Sequence, residues 1–233
     1  MTTLSDVWPL FGLKITSPRL ELRLVRDEDL PGVIDAALAG IHDPAVMPFA
    51  VPWTDAPREV LIRETAKHQW RIRSGVEPEN WTLNFVIKHE GVPVGMQDLT
   101  GHHFSITKTV TTGSWLSRSY QGRGLGKEMR AAVLLFAFDH LGAEVAESDA
   151  AVWNQSSLGV SHSLGYRDTG IKRVVARPGE LTEAQEVRLG REQFKRPDWN
   201  ITIEGLEAAR RDIFDATLGS PASRSPIGSA GAI

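Results

Sequence analysis

Gln121, Gly122, Arg123, Gly124, Leu125 and Gly126, followed by Lys127, carry the clearest chemistry in this 233-residue sequence. They separate a β-rich run, Val110 to Leu116, from a long apolar stretch at helical spacing. Such a loop is an anion site. The first amides of a helix lack intrahelical acceptors, the macrodipole favours negative charge there, and glycines let a phosphate reach the backbone. Arg123 and Lys127 add cationic contacts. Spacing then sorts the phosphate loops. A P-loop needs a glycine where Gln121 stands and Ser or Thr where Glu128 stands. The dinucleotide or kinase pattern G-x-G-x-x-G begins with Gly122 and Gly124 but ends on Lys127. Only Gln/Arg-x-x-Gly-x-Gly/Ala is met in full, by Gln121, Gly124 and Gly126.

The elements that must hold this loop are legible from periodicity. Alternation predicts strands at 13–15 and 20–24, and Asp27 is placed to cap a helix that Gly40 stops. Residues 42–57 are too rich in proline for a helix and read as a partly ordered loop over a cleft. A helix is expected over 58–75, a hairpin over 83–87 and 92–96, and a single strand over 110–116. From Lys127, apolar residues at helical spacing predict a core helix ending at Gly142. A strand over 145–152, a loop and short helix over 154–164, strands at 184–190 and 200–203 and a helix over 204–216 complete the pattern. Residues 1–217 read as one domain. The Gly, Ser, Ala and Pro of 218–233 cannot bury enough surface to offset ordering entropy, so a disordered tail is expected.

Composition narrows the chemistry further. With 41% hydrophobic and 24% charged residues the chain reads as a soluble globular protein. Zero cysteines exclude disulfides, thiolate nucleophiles and Cys-based zinc sites. A formal charge of -3 argues against a nucleic-acid partner. No apolar run approaches the roughly 18 residues of a membrane span, and the N-terminus lacks a secretory pattern, so no membrane partner and a cytoplasmic location are expected.

The loop resembles the pyrophosphate signature of the GNAT N-acyltransferases, and its surroundings agree. Ser17-Pro18-Arg19-Leu20-Glu21-Leu22-Arg23 with Arg26 and Asp29, then Gly113 to Leu116, Tyr120, Glu128 to Ala132, Phe136 to Phe138, Asn154, Ser157 and Leu164-Gly165-Tyr166 follow in family order. Over residues 13–189 the sequence resembles the branch of the ribosomal-protein alanine acetyltransferases (RimJ/RimL-like). It is similar to actinobacterial members that include an acyltransferase binding succinyl-coenzyme A.

That resemblance implies an α+β (mixed α/β) fold: a mixed, mostly antiparallel twisted sheet, splayed in the middle and flanked by helices. It implies acetyl- or succinyl-coenzyme A as cosubstrate, a primary amine as acceptor, no metal, and a homodimer. Backbone groups of Trp115, Leu116 and Ser117 would bind pantetheine, and Gln121, Gly122, Arg123, Gly124, Leu125, Gly126 and Lys127 the pyrophosphate. Asn154 would contact the coenzyme arm and Ser157 would stand near its sulfur as general acid. Both residue types also cap helices, so a cap reading stands beside the catalytic one. Tyr166 occupies a core position and could donate a proton.

No motif identifies the general base. Asp98, His42, His102 and His103 have suitable chemistry, but each also reads as a surface group, and adjacent histidines without spaced partners make a poor metal site. Trp70 and Trp115 read as core; Trp53, with Met47 and Phe49, is placed to wall an acceptor cleft. Lys108, Arg118 and the His102-His103 pair are the cations available to a succinyl carboxylate. A non-catalytic acyl-coenzyme A-binding regulatory protein is the alternative function, and a nucleotide-dependent kinase or ATPase fails on spacing.

Overall fold

The computed structural model describes residues 1–211. A short helix α1 (Leu4–Val7) leads into β1 (Lys14–Thr16) and β2 (Leu20–Leu24), then α2 (Leu30–Leu38) and α3 (Arg58–Ser74). The hairpin β3 (Asn80–His89) and β4 (Val92–His102), a turn of helix α4 (Phe104–Thr107), β5 (Thr109–Thr111) and β6 (Ser114–Leu116) follow. The chain continues through α5 (Leu125–Leu135), β7 (Val145–Ala151), α6 (Gln155–Leu164), the hairpin β8 (Arg167–Arg177) and β9 (Glu180–Gly190), β10 (Thr202–Glu204) and α7 (Leu206–Ala209).

One ten-stranded sheet runs β10-β1-β2-β3-β4-β5-β7-β9-β8, with β6 paired to β4 beside β5. Every printed pairing is antiparallel except β5 with β7. The expected strand over 110–116 is therefore two strands, broken at Thr112 and Gly113. β5 pairs with β7 from Thr109/Val145 to Thr111/Glu147, whereas β6 pairs only with β4, from Gln97/Ser114 to Gly95/Leu116. Past Thr112 the two halves of the sheet diverge, and a gap opens between β6 and β7.

Two apolar clusters cover the two faces. On one, α5 packs with β2, β3, β4 and α6; Phe136 and Phe138 are fully buried in a π-helical turn (Phe136–Leu141) that extends α5 to Gly142. Burying each such ring stabilises the fold by roughly 1.5–3 kcal/mol. On the other face, Val33, Ile34 and Ala37 of α2 and Leu61 of α3 pack on Val86 and Met96, with Trp115 and Trp53 at the margin. Because side chains alternate along a strand, β4 presents Met96 to α2 and α3 and Gln97 to α5.

Several expectations need correcting. Asp27 does not cap α2: its carboxylate instead accepts from Trp70 Nε1 (3.1 Å) and Arg73 (3.0 Å). Trp70 is accordingly 48% exposed and not core, because its indole nitrogen needs that surface acceptor. The strands of the first hairpin are longer than 83–87 and 92–96, since β4 carries polar Gln97 and Asp98 into the splay and loses its simple alternation. β8 escaped the pattern reading because its basic residues hide the period. The expected tail at 218–233, and the end of the expected helix over 204–216, lie outside the described residues; within them a strand and the turn α7 occupy 202–209.

Candidate functional site

β6 ends at Leu116 and delivers the chain through a 3-10 turn (Arg118–Tyr120) to the glycine loop. Three contacts fix that loop. Gln121 Nε2 donates to Leu116 O (2.8 Å) and Ile41 O (2.7 Å), so its side chain is a brace. Arg19 donates to Arg123 O (3.0 Å), turning that carbonyl away from the helix start. Arg19 also forms an ion pair with Glu128 (2.6 Å), whose carboxylate additionally accepts from Ser17 Oγ (2.8 Å) and Arg19 N (2.8 Å). Glu128, nominally a charge on an apolar helix, is thereby buried and satisfied.

Gly122 (φ 72°) and Gly124 (φ 78°) adopt the left-handed backbone the turn requires. Gly126 has an ordinary φ, and a side chain built there would project toward Leu116 Cδ1 (3.8 Å) and Val160 Cγ2 (4.0 Å). It therefore faces the mouth between β6 and α6. Among the described residues, the amides of Gly122, Arg123, Gly124, Leu125 and Gly126 donate to no protein acceptor. Lys127 is exposed beside them, and Arg123 lies over the Tyr120 ring at 5.4 Å. An array of free amides at the start of an eleven-residue helix, flanked by two cations, can hold a pyrophosphate.

The gap behind the loop has the shape of an arm's passage. Ser117 N donates to Val94 O (2.9 Å), so strand alternation turns the amide of Leu116 away from β4 and toward the gap. Trp115 faces the opposite side, against Met96. Across the gap Asn154 caps α6, its Oδ1 accepting from Ser157 N at 3.2 Å. The cap reading of Asn154 is thus realised. Ser157 Oγ makes no hydrogen bond among the described residues, and Ser157 shares a helix face with Val160, which borders Gly126. A half-buried hydroxyl without a protein partner at this place is available to a ligand.

A polar cluster sits where β5 and β6 part. Arg130 of α5 is buried and reaches Ser114 Oγ (3.2 Å) on β6, Ser148 Oγ (3.3 Å) on β7 and Gln97 Oε1 (3.4 Å) on β4. Ser148 Oγ passes the link to Thr112 O (2.8 Å), and Gln97 Nε2 donates to Gly113 O (2.7 Å). Burying a guanidinium costs several kcal/mol unless it is well satisfied. Here it spans strands that share no ladder beyond Thr112. Sequence reading passed over Arg130, although a cation inside the stripe Met129 to Phe136 was the available signal. Tyr166 is buried next to this cluster with its hydroxyl sealed from solvent, and burial pushes its pKa up; it fits the core reading.

Asp98 is only partly buried. Gly113 N donates to its Oδ1 (2.6 Å), and burial pushes its pKa up to about 6, against the lowering influence of that bond and of Arg130. The other base candidates are placed differently. His42 has both ring nitrogens engaged, Nε2 with Thr54 Oγ1 (2.7 Å) and Nδ1 with Asp43 O (2.8 Å). His102 and His103 are exposed at the far end of β4, where β5 and β7 are still paired, and Lys108 lies over the Phe104 ring at that same end. Those three lie at the paired end of the strands, whereas Arg118 stands at the open end.

Residues 42–57 form the outer wall. His42, Phe49, Trp53 and Trp115 form a chain of ring contacts with centroids 5.6, 5.4 and 5.9 Å apart, the first edge-on and the other two tilted. Met47 is buried, its sulfur against Thr54 Oγ1. The loop is tethered to the β8–β9 hairpin by Arg177, which donates to Asp55 (2.6 and 3.1 Å) and to Pro44 O (2.9 Å) and holds the Asp55 carboxyl below its ordinary pKa. No periodicity forecast that clasp, which joins residues 122 positions apart.

Known structures share this architecture. RimJ from Mycobacterium smegmatis, solved with a coenzyme A disulfide, superposes with a TM-score of 0.63 at 17% identity over 88% of this chain and 95% of that one. A Vibrio cholerae protein described as a ribosomal-protein-serine acetyltransferase gives 0.58 at 18% identity, covering 76% and 97%. A spermidine N-acetyltransferase SpeG chimera of Vibrio cholerae and hSSAT gives 0.56 at 15%, covering 75% and 96%. At these identities the likeness is one of fold. The sequence itself matches the family description "Acetyltransferase (GNAT) domain" over residues 19–167, which spans the glycine loop, the splayed strands and the α6 cap. With its mixed, largely antiparallel sheet opened between β6 and β7, this chain belongs to the GNAT acetyltransferase family.

Proposed function

We propose that the protein transfers an acetyl or succinyl group from acyl-coenzyme A to a primary amine by direct attack. The observation that carries this reading is the array of free amides from Gly122 to Gly126, which opens onto a gap in the sheet bordered by Ser157. In this reading Gly122 to Lys127 hold the pyrophosphate, and Gln121, expected to touch it, instead braces the loop through Leu116 O and Ile41 O. The strand Trp115 to Ser117 lies along pantetheine, with the Leu116 amide directed at the thioester. Asn154 positions the start of α6, and the Ser157 hydroxyl delivers a proton to the departing thiolate. No covalent enzyme intermediate is needed: the amine nitrogen bonds to the carbonyl carbon, the C–S bond breaks, and the amine proton leaves to a base.

The aromatic wall of Phe49, Trp53 and Trp115 supports an acceptor with a single amine on an apolar or peptide body. A polyamine would call for several carboxylates, and Asp55 in this wall is already occupied by Arg177. A peptide N-terminus, a lysine or a small monoamine fits that chemistry. We also propose a homodimer, supported by the free edge of β8 and by the cross-strand pair Val175 and Leu181, 62% and 54% exposed on its hairpin. Light scattering after gel filtration tests it.

The deciding experiment is calorimetric titration with acetyl-coenzyme A, succinyl-coenzyme A, coenzyme A and ATP, followed by thiol-release assays with an alanine- or serine-starting peptide and with spermidine. Binding of an acyl form but not ATP, with thiol release that depends on the peptide, is expected. Binding without thiol release for any amine would favour a regulatory acyl-coenzyme A-binding role, and no coenzyme binding would overturn the assignment.

A further inference from the structure

Asp98 occupies a position that the fold has to be arranged to permit. By alternation with Met96 and Gln97 it points to the face covered by α2, α3 and the aromatic wall, opposite the face on which the glycine loop and α6 lie. It stands at the apex of the gap, beside the break between β5 and β6. Gly113 N–H holds Oδ1 at 2.6 Å, and Asp98 N donates in turn to Gly113 O (2.9 Å). A Cβ at residue 113 would meet Oδ2 at 2.7 Å, so any larger residue there would push the carboxylate from its present place. Oδ2 accepts no hydrogen bond among the described residues, and it is not one of the polar atoms sealed from solvent. One oxygen is thus anchored and the other is free and reachable.

We propose that Asp98 is the proton acceptor for the attacking amine, taking the proton on Oδ2 as the nitrogen bonds to the acyl carbon from the α2/α3 side of the splay. This rests on the acyltransferase reading above. The step balances: the N–H bond breaks, the Asp98 carboxylate becomes a carboxylic acid, the N–C bond forms, and the C–S bond breaks to a thiolate that is protonated through Ser157. Release of the proton from Oδ2 to solvent, and return of one from solvent to the Ser157 hydroxyl, reset the site.

The neighbourhood suits a base that works near neutral pH. Across β3 stands Asn84, along β4 Met96 and Thr100, and on the broken strand Thr111 and Gly113. α2 presents Val33, Ile34 and Ala37, and α3 presents Leu61 and Gln69. Arg130, on α5, is the charged group acting on Asp98, and it stabilises the carboxylate; burial outweighs it and moves the pKa up to about 6. His68 of α3 moves in the other direction, lowered by burial. Arg130 in this arrangement is a positioning residue, which steadies the Gly113 turn through Gln97.

The activity should therefore be present above about pH 6 and lost as the pH falls through that value, because only the carboxylate accepts a proton. The test compares wild type, Asp98→Asn, Asp98→Ala and His68→Gln. It measures kcat/KM from pH 5 to 8.5 with saturating acetyl-coenzyme A and an alanine-starting peptide, alongside acetyl-coenzyme A affinity by calorimetry. Asp98→Asn keeps an oxygen for Gly113 N–H. It should lose about 100-fold in kcat/KM at pH 7.5, a usual size for removing a general base, and bind acetyl-coenzyme A within twofold of wild type. Its profile should lose the acidic limb, which His68→Gln should keep. Added formate should restore part of the Asp98→Ala rate, which a purely structural aspartate would not allow. An Asp98→Asn enzyme with a near-normal rate and an unchanged limb, or one that loses coenzyme affinity in step with rate, would overturn the proposal alone. A wild type that binds acetyl-coenzyme A but acylates no amine would overturn the transferase reading and this proposal with it.

Discussion

Individual residues in the site differ in how much they can change without unfolding the chain. Gly122 and Gly124 hold positive φ, so any larger residue strains the backbone as well as crowding a ligand. Gly126 separates the two effects, because its ordinary φ and its open surroundings tolerate a side chain directed at the mouth of the splay. Gly126→Val is expected to leave the thermal midpoint within a few degrees of wild type while weakening acetyl-coenzyme A binding at least tenfold. Unchanged affinity in calorimetry would remove the coenzyme from this loop. Ser157→Ala should act on the other axis, lowering kcat by roughly 10²-fold with little change in coenzyme affinity, as removal of a proton donor does. Equal turnover in mutant and wild type would leave Ser157 only the amide that Asn154 caps.

At the scale of elements, the junction of β2 with α5 decides whether the glycine loop is ready to bind. Glu128, buried in the first turn of α5, gathers Ser17 and Arg19, and Arg19 reaches on to Arg123 O. Glu128→Gln keeps the shape but sets an amide NH2 where one carboxylate oxygen accepts, so at least one of the three hydrogen bonds is lost and the others lose their charge. Hydrogen bonds to charged groups are worth about 1.5–3 kcal/mol, and half-exposed Arg19 argues for the lower end, so about 2 kcal/mol of stability should be lost. Urea denaturation would measure that. Acetyl-coenzyme A affinity should fall several-fold as well, since the loop loses its brace. A stability loss with no change in affinity would show the clip to be a scaffold only. The broken strand β5–β6 is the second decisive element: polar contacts from Arg130 link β6 to β7 where no ladder does.

Across the whole molecule, the proposed acceptor side draws on segments far apart in sequence. The wall at 42–57 sits on the α2/α3 face and is clasped by Arg177 of the β8–β9 hairpin, while the proposed coenzyme side is built from β2, β6, α5 and α6. Arg177→Ala should loosen the wall without touching the glycine loop. The expected result is a several-fold higher KM for the peptide acceptor, with acetyl-coenzyme A affinity unchanged; equal effects on both substrates would show that the hairpin supports the entire site.

The sequence alone carried the anion loop, because Gln121, Gly124 and Gly126 act through local backbone conformation, and local conformation is written in consecutive residues. It carried the core helix and most strands for the same reason, since their periodicities are short-range. The cap at Asn154 was readable beside Ser157. What it could not carry was every feature made by contact across the fold. Trp70 lost its core place to a surface bond with Asp27, 43 residues away. Asp98 became a partly buried group with an unusual pKa only because the strand at 110–116 is interrupted beside it, where Gly113 N–H turns to its carboxylate. Arg130 and Arg177 acquired their roles from partners on other elements. Burial and charge pairing are properties of tertiary proximity, so the glycine loop was determined by the sequence, whereas the splay, the aromatic wall and the environment of Asp98 were decided by the fold.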